Sequence, residues 1–400
     1  MKDGFIKTAC AAPDIRVADC RYNAEQLAAS MRELDASGAR LIVFPELCLT
    51  GYTCGDLFGQ SVLLEGAERA LGTLIGVSAR LEAVTLVGLP VAVDGRLYNC
   101  AAVFQRGRLL GVVPKSNLPN SGEFYERRSF SPAPQDNTVV TLCGQAAPFG
   151  TRLLFCCSTL PDLVLAVEIC EDLWVASPPS AGHARAGATV IANLSASDEL
   201  AGKAAKRRAL VEGQSARLLC GYLYANAGYG ESTTDLVFSG HCLIAESGTL
   251  LAEAAPFSGN AAISELDVQR LQGERRRKNA GPAPEGEDYL RIPFPLSIEP
   301  TALTRPFPRL PFVPSGEVQR AARCEEILTI QSQGLRKRIE HVHAKTLVLG
   351  LSGGLDSTLA LLVCARALGL LGRPTRDIAA VTMPCFGTTA RTKSNAETLA

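Results

Sequence analysis

Apolar residues in this chain gather into strand-length runs, and three of the runs end on a reactive side chain. Residues 41–45 lead to Glu46, residues 109–114 to Lys115, and residues 163–169 to Cys170, which Glu171 and Asp172 follow at once. Other apolar runs predict strands over 84–93, 101–105 and 189–192. Leu27, Met31 and Leu34 at helical spacing predict a helix over 21–37, closed by Gly38. Strands alternating with helices from residue 4 to about 270 argue for an α/β layered domain. Runs at 238–245 and 250–254 flank a turn-like segment, 246–249, so the sheets are expected to be mixed.

The pattern changes at residue 279. Nine of the chain's 23 prolines fall within 279–316, and no periodicity is sustained there. This stretch reads as a proline-stiffened linker, laid over a surface, between a domain over 1–278 and a second over 317–400. The second opens with a helix over 317–343 and a strand over 346–351. Only one further strand, near 378–383, can be counted before the chain stops at Ala400, inside an apparent helix. A doubly wound sheet needs more strands, so the second domain reads as incomplete, either a fragment or a truncation.

Composition narrows the class. With 400 residues, 47% of them hydrophobic and 20% charged, the chain is globular. Forty basic and forty acidic side chains cancel, so nothing global favours nucleic acid or an anionic membrane. The basic run Arg275–Arg277 with Lys278 reads as a solvated face. No apolar stretch reaches the roughly 20 residues of a membrane span, and the first residues lack the apolar core of a secretory signal. Fourteen cysteines without such a signal point to a cytoplasmic location. No C-x-x-C pair occurs among them, and four histidines leave little for a zinc site. His341 and His343 read as surface residues.

A thiol, a carboxylate and an ammonium at the ends of three strands can cleave an amide. Glu46 would take the Cys170 proton, Lys115 would hold the thiolate and then the oxyanion, and the backbone N–H after Cys170 would add a second oxyanion donor. Histidine is not required. Each residue alone reads equally as a buried cysteine or a solvated strand end.

The local words carry a resemblance. Phe44–Pro45–Glu46, Pro114–Lys115–Ser116–Asn117 and Glu168–Ile169–Cys170–Glu171–Asp172 resemble, in order and separation, the three signatures of the nitrilase (carbon–nitrogen hydrolase) superfamily. The resemblance implies an αββα sandwich with a Glu–Lys–Cys triad. It also implies a homo-oligomer, and a second glutamate shortly after the lysine, for which Glu123 and Glu126 both stand as candidates. Asn193–Leu194–Ser195–Ala196–Ser197 and the segment 230–238 are similar to the glutaminase domain of glutamine-dependent NAD+ synthetases. By that resemblance Ser121, Ser197 and Lys203 would contact glutamine, although relatives often carry tyrosine at position 121.

A second constellation, Gly350–Leu351–Ser352–Gly353–Gly354–Leu355–Asp356–Ser357–Thr358, reads as strand, small-residue loop and helix start. Its glycines let the backbone approach an anion, and the helix N-terminus offers unpaired N–H groups. It is not a Walker loop. It resembles the S-G-G-x-D-S/T loop of the N-type ATP pyrophosphatases, which implies ATP bound there, with Asp356 on Mg2+. Residues 381–389 are similar to the stretch that meets adenine in NAD+ synthetases, with Met383 the candidate contact. The two resemblances together imply glutamine-dependent conversion of deamido-NAD+ to NAD+, with ammonia passing internally. A freestanding amidase with a non-functional tail is the alternative.

Overall fold

A computed structural model describes the chain apart from Lys2, Asn260, residues 279–287, Pro384, Gly387 and Thr388. The described residues form two compact units, Met1–Arg305 and Pro306–Ala400.

The first unit is built from two mixed sheets. One has the spatial order Ala262–Asp267, Phe5–Cys10, Leu41–Val43, Val84–Val93, Arg96–Gln105, Arg108–Pro114, Gln145–Phe149, Thr138–Leu142. The other runs Thr249–Ala254, Cys242–Glu246, Gly221–Asn226, Val190–Ser195, Val164–Ile169, Leu153–Cys157, Leu290–Phe294. Ile6, Leu41, Val43 and Leu86 of the first sheet meet Phe155, Leu165, Val167 and Leu223 of the second in one core. Helices Cys20–Ala36 and Ser61–Ser78 cover the outer face of the first sheet through Leu27, Met31, Leu71 and Leu74. Behind the second sheet, Val211 of helix Lys203–Leu218 packs on Tyr222 and Tyr224. The layers are therefore α, β, β, α. Strands covered on both faces need apolar residues at nearly every position, which is why the runs were so conspicuous.

In each sheet the central strands are parallel: Phe5–Cys10, Leu41–Val43 and Val84–Val93 in one, Val164–Ile169, Val190–Ser195 and Gly221–Asn226 in the other. Two of these strands, Leu41–Val43 and Val164–Ile169, lead at their carboxyl ends to Glu46 and Cys170. The hairpin predicted near 246–249 is tighter than expected, with only Ser247 and Gly248, at φ 46° and 87°, between the two strands. The strand before it starts at Cys242 and not at 238, because Gly240 at φ 66° leaves the extended region.

The linker expectation over 279–316 needs correction. Its first residues, 279–287, lie outside those described. Leu290–Phe294 is a strand, paired in parallel with Leu153–Cys157. Ile292 and Phe294 point into the core, and Pro293 is tolerated because the strand lies at the sheet edge. Beyond it the chain stays fastened to the first unit. Glu265 accepts the Thr304 and Arg305 N–H groups, both at 3.0 Å, and the Arg305 guanidinium meets Glu246 at 3.1 Å. Among the described residues up to Arg305 the chain lies on the first unit, and the unexpected part is that it also adds an edge strand to the sheet.

The second unit holds helix Glu317–Val342, helix Leu355–Leu370, helix Ala390–Leu399 and a two-stranded parallel sheet of Leu347–Gly350 with Ile378–Val381. Its core is small, centred on Ile339, Ala367 and Leu368. No helix among the described residues is long and apolar enough to cross a membrane.

Candidate active site

Glu46 leaves strand Leu41–Val43 in a turn that crosses the neighbouring strand at Gly88. A Cβ at Gly88 would lie 2.2 Å from the Leu47 nitrogen and 2.6 Å from the Pro45 carbonyl oxygen, so only glycine lets the turn lie this close. Lys115 follows Pro114 directly, with its backbone N–H on the Asn99 carbonyl at 2.8 Å. Both side chains are fully buried.

The two meet as an ion pair. Lys115 Nζ donates to Glu46 Oε1 and to Glu126 Oε1, both at 2.6 Å. Asn99 Nδ2 also donates to Glu46 Oε1 at 2.6 Å, and the Ala196 N–H donates to Glu46 Oε2 at 2.7 Å. The Tyr52 hydroxyl donates to Glu126 at 2.9 Å. Of the two glutamates left open by the sequence, Glu126 is thus the one on Lys115, and Glu123 is exposed. One cation between two carboxylates in a dry interior is costly unless the geometry is close, and here it is.

Cys170 arrives from the other sheet. It sits where strand Val164–Ile169 breaks into the short turn Cys170–Leu173, at φ 45°, a left-handed conformation costly for a residue with a Cβ. Asp172 fixes this turn to the end of the lysine strand. Its carboxylate accepts the Ile169 N–H at 3.0 Å, and the Asn117 N–H and Nδ2 at 2.8 Å each. Burial and then the Glu46 charge push the Cys170 thiol far up, while Lys115 and the Ala196 N–H favour its thiolate. Burial alone would lower the Lys115 ammonium, yet Glu126 and Glu46 outweigh it and hold it well above its usual range. Burial pushes Glu126 up to about 7, against the pull of Lys115. Burial thus favours the neutral thiol at Cys170, while Lys115 is held charged between its two carboxylates.

Beside this cluster lies a cavity of about 320 Å³, lined by Tyr52, Phe58, Tyr125, Glu126, Phe130 and Leu236 among others. Glu126 Oε2 is buried and finds no hydrogen-bond partner among the described residues.

The residues expected on the substrate side fare unequally. Ser197 is buried, its N–H on Asn226 Oδ1 at 2.8 Å. Lys203 pairs with Asp198, and its Nζ lies 5.7 Å from the Trp174 ring centre and 5.8 Å from that of Phe124. Ser121 is exposed, and it is Phe124 and Glu126 of its loop that reach Lys203 and Lys115. Sequence reasoning assigned no role to Asn99, Tyr52 or Asn193. For Asn99 and Asn193 the available signal was a polar residue inside a buried apolar strand, and for Tyr52 there was none.

In the second unit the loop after strand Leu347–Gly350 is bonded mostly to itself. The Ser352 N–H donates to Ser357 Oγ at 3.2 Å, and Thr358 Oγ1 donates to the Gly354 carbonyl at 2.9 Å. Leu351 is buried and its N–H bonds the Val381 carbonyl at 2.7 Å. Gly353, at φ 77°, could not carry a Cβ, which would fall 1.9 Å from the Thr392 carbonyl oxygen. Leu355 and Asp356 are exposed in the first helical turn. An open cleft of about 860 Å³ borders Gly353, Gly354, Leu355 and Thr358. Met383 is exposed, while Pro384, Gly387 and Thr388 of the stretch expected near adenine lie outside the described residues.

Comparison with known proteins follows the same division. The carbon-nitrogen hydrolase family model matches residues 7–276, and the NAD synthase model matches residues 327–400. The glutamine-dependent NAD(+) synthetase of Mycobacterium tuberculosis is 42% identical over 409 aligned positions, covering 99% of this chain and 60% of that protein. Its counterpart in Thermotoga maritima is 28% identical, covering 96% of this chain and 61% of the relative. The chain thus spans about three fifths of the length of these curated relatives. Among solved structures, a glutamine-dependent NAD(+) synthetase from Cytophaga hutchinsonii superposes with a TM-score of 0.59 at 24% identity, over 98% of this chain and 63% of that one. A nitrilase-superfamily amidase of Nesterenkonia AN1 gives 0.52 at 18% identity, over 70% of this chain and 98% of the amidase. Fold, strand-end cluster and family match agree, and the chain belongs to the carbon–nitrogen hydrolase family.

Proposed function

We propose that this chain carries the glutaminase and the first part of the synthetase of a glutamine-dependent NAD+ synthetase. The observation that carries the reading is the buried Glu46–Lys115–Glu126 cluster, with Cys170 held beside it by a turn from the opposite sheet. Glu46 accepts the thiol proton as Cys170 Sγ attacks the side-chain amide carbon of glutamine. Lys115 and the Glu171 N–H stabilise the oxyanion, and the proton passes from Glu46 to the departing ammonia. Water, deprotonated by Glu46, then cleaves the thioester to glutamate. Ser197 and Lys203 would hold the amino-acid end, and Glu126 would keep Lys115 charged and in place.

The loop Gly350–Thr358 would bind ATP through its backbone and hydroxyl donors, with Met383 near the adenine. The donor set fits Mg2+ only in part. Asp356 offers one exposed carboxylate, which suits an ion held mainly by nucleotide phosphates and water. When bound, the ion would neutralise charge on the departing pyrophosphate. Deamido-NAD+ would receive the ammonia as its AMP-activated acid. A freestanding amidase with an idle tail is disfavoured, since likeness to the mycobacterial synthetase runs through both units. The test follows glutamate and NAD+ separately, in the wild type and in Cys170→Ala. Glutamine hydrolysis should vanish in the variant, and its persistence would overturn the assignment.

A further inference from the structure

Beneath Cys170, on the helix-facing side of the second sheet, hydrogen bonds run in one line. The Cys170 N–H donates to Asn193 Oδ1 at 3.2 Å, and Ser195 Oγ donates to the same oxygen at 2.7 Å. Asn193 Nδ2 donates to the Tyr222 hydroxyl at 3.2 Å, and that hydroxyl donates to Glu168 Oε1. The Ser180 N–H donates to Glu168 Oε2 at 2.8 Å. Glu168 and Asn193 are register partners on adjacent parallel strands, and all of these residues are buried.

The line has a backbone N–H pointing inward at each end, and neither can accept. Each link between them carries one proton. One member must therefore accept on both sides: an ionised carboxylate does so with every proton of the line used, whereas Tyr222 accepting twice would leave its own buried O–H without an acceptor in the line. That member is Glu168. Its acceptance orients the Tyr222 hydroxyl, which in turn leaves the Asn193 oxygen, and not its amide nitrogen, facing Cys170. Neither direct partner of Glu168 is a cation, so ion pairing does not account for a carboxylate buried here.

We propose that Glu168 is a positioning residue for the nucleophile: through Tyr222 and Asn193 it sets the direction of the line that holds the Cys170 backbone in its left-handed turn. The proposal rests on reading Cys170 as the nucleophile. Burial raises the Glu168 carboxyl to about 7, so the experiment is run at pH 8, where it is ionised.

Glu168→Gln turns an amide donor toward Tyr222, so the Tyr222 hydroxyl must accept from both neighbours and its own buried O–H loses its acceptor. The double variant Glu168→Gln with Asn193→Asp moves the acceptor to the other end. Ser180 then donates to the Gln oxygen, the Gln amide to Tyr222, Tyr222 to the Asp, and Cys170 to the Asp. The single variant is expected to lower kcat for glutamine hydrolysis, and the rate of Cys170 alkylation by iodoacetamide, each by about 10- to 100-fold, with KM changed less than about 3-fold. The double variant should regain about ten-fold in both. Should the single variant fail to fold, Tyr222→Phe cuts the same line and is expected to show the same loss. Wild-type rates in Glu168→Gln or Tyr222→Phe, or a folded double variant no faster than the single one, would overturn the proposal. A wild type without glutamine hydrolysis overturns the functional reading instead, and the alkylation rates then decide the positioning role on their own.

Discussion

The two loops proposed to carry chemistry in this chain are built in opposite ways. Around Lys115 the charged groups are buried and bonded before any ligand arrives: the ammonium donates to both carboxylates, and Glu46 also accepts from an amide and a backbone N–H. Around Ser352 the polar groups are exposed or half-exposed and bond mainly to one another. The first arrangement places the desolvation cost in the fold, so its members are tied to stability as well as to reaction. The second leaves its donors close to water, where a phosphate can exchange with solvent at small structural cost.

That contrast can be broken or sharpened by measurement. The largest effect belongs to the proposed nucleophile: Cys170→Ala should lower glutamine hydrolysis by more than about a thousand-fold, while thermal unfolding stays near wild type. Next is Lys115→Ala, which strands two buried carboxylates side by side. It should cost about 3–5 kcal/mol of stability, read by denaturant unfolding, and a cost under about 1 kcal/mol would show that water reaches the cluster. A smaller effect is expected from pH. Burial holds the folded-state pKa of Glu168 at about 7, above the ordinary 4.5. The native state therefore keeps a proton that the unfolded chain releases, and this contribution to stability declines as pH rises between these values. Wild type should lose up to about 3 kcal/mol relative to Glu168→Gln from pH 5 to 7.5. The smallest effect is on the other loop: Asp356→Ala should change stability by less than about 0.5 kcal/mol. A larger loss would mean that the second loop, too, is built into its fold.

Much of the first unit could be read in advance because its central strands are covered on both faces and therefore continuously apolar. Glu46, Lys115 and Cys170 stood at the ends of apolar runs, where each alone read equally as a buried cysteine or a solvated strand end, and the local words around them made them candidates. What stayed hidden depends on contacts between distant segments. Glu123 and Glu126 differ in the sequence only by three places, yet one faces water and the other Lys115, because the short turn Glu126–Arg128 rotates a single carboxylate inward. Asn99 and Tyr222 lie inside apolar strands, where a lone polar residue is a hint without a partner. The edge strand Leu290–Phe294 was masked by its own proline and by those around it, although Ile292 and Phe294 already alternated. Gly88 looked like any strand glycine until the Glu46 turn was seen to cross it.

Asp172 has a wider consequence. One carboxylate grips the tip of a strand in each sheet, so the sulfur and the ammonium are yoked to a single hinge pin. Thermal parting of the two sheets at this end would have to drag both partners together or snap the pin first, and the spacing between attacker and cation is thereby insulated from breathing elsewhere in the sandwich.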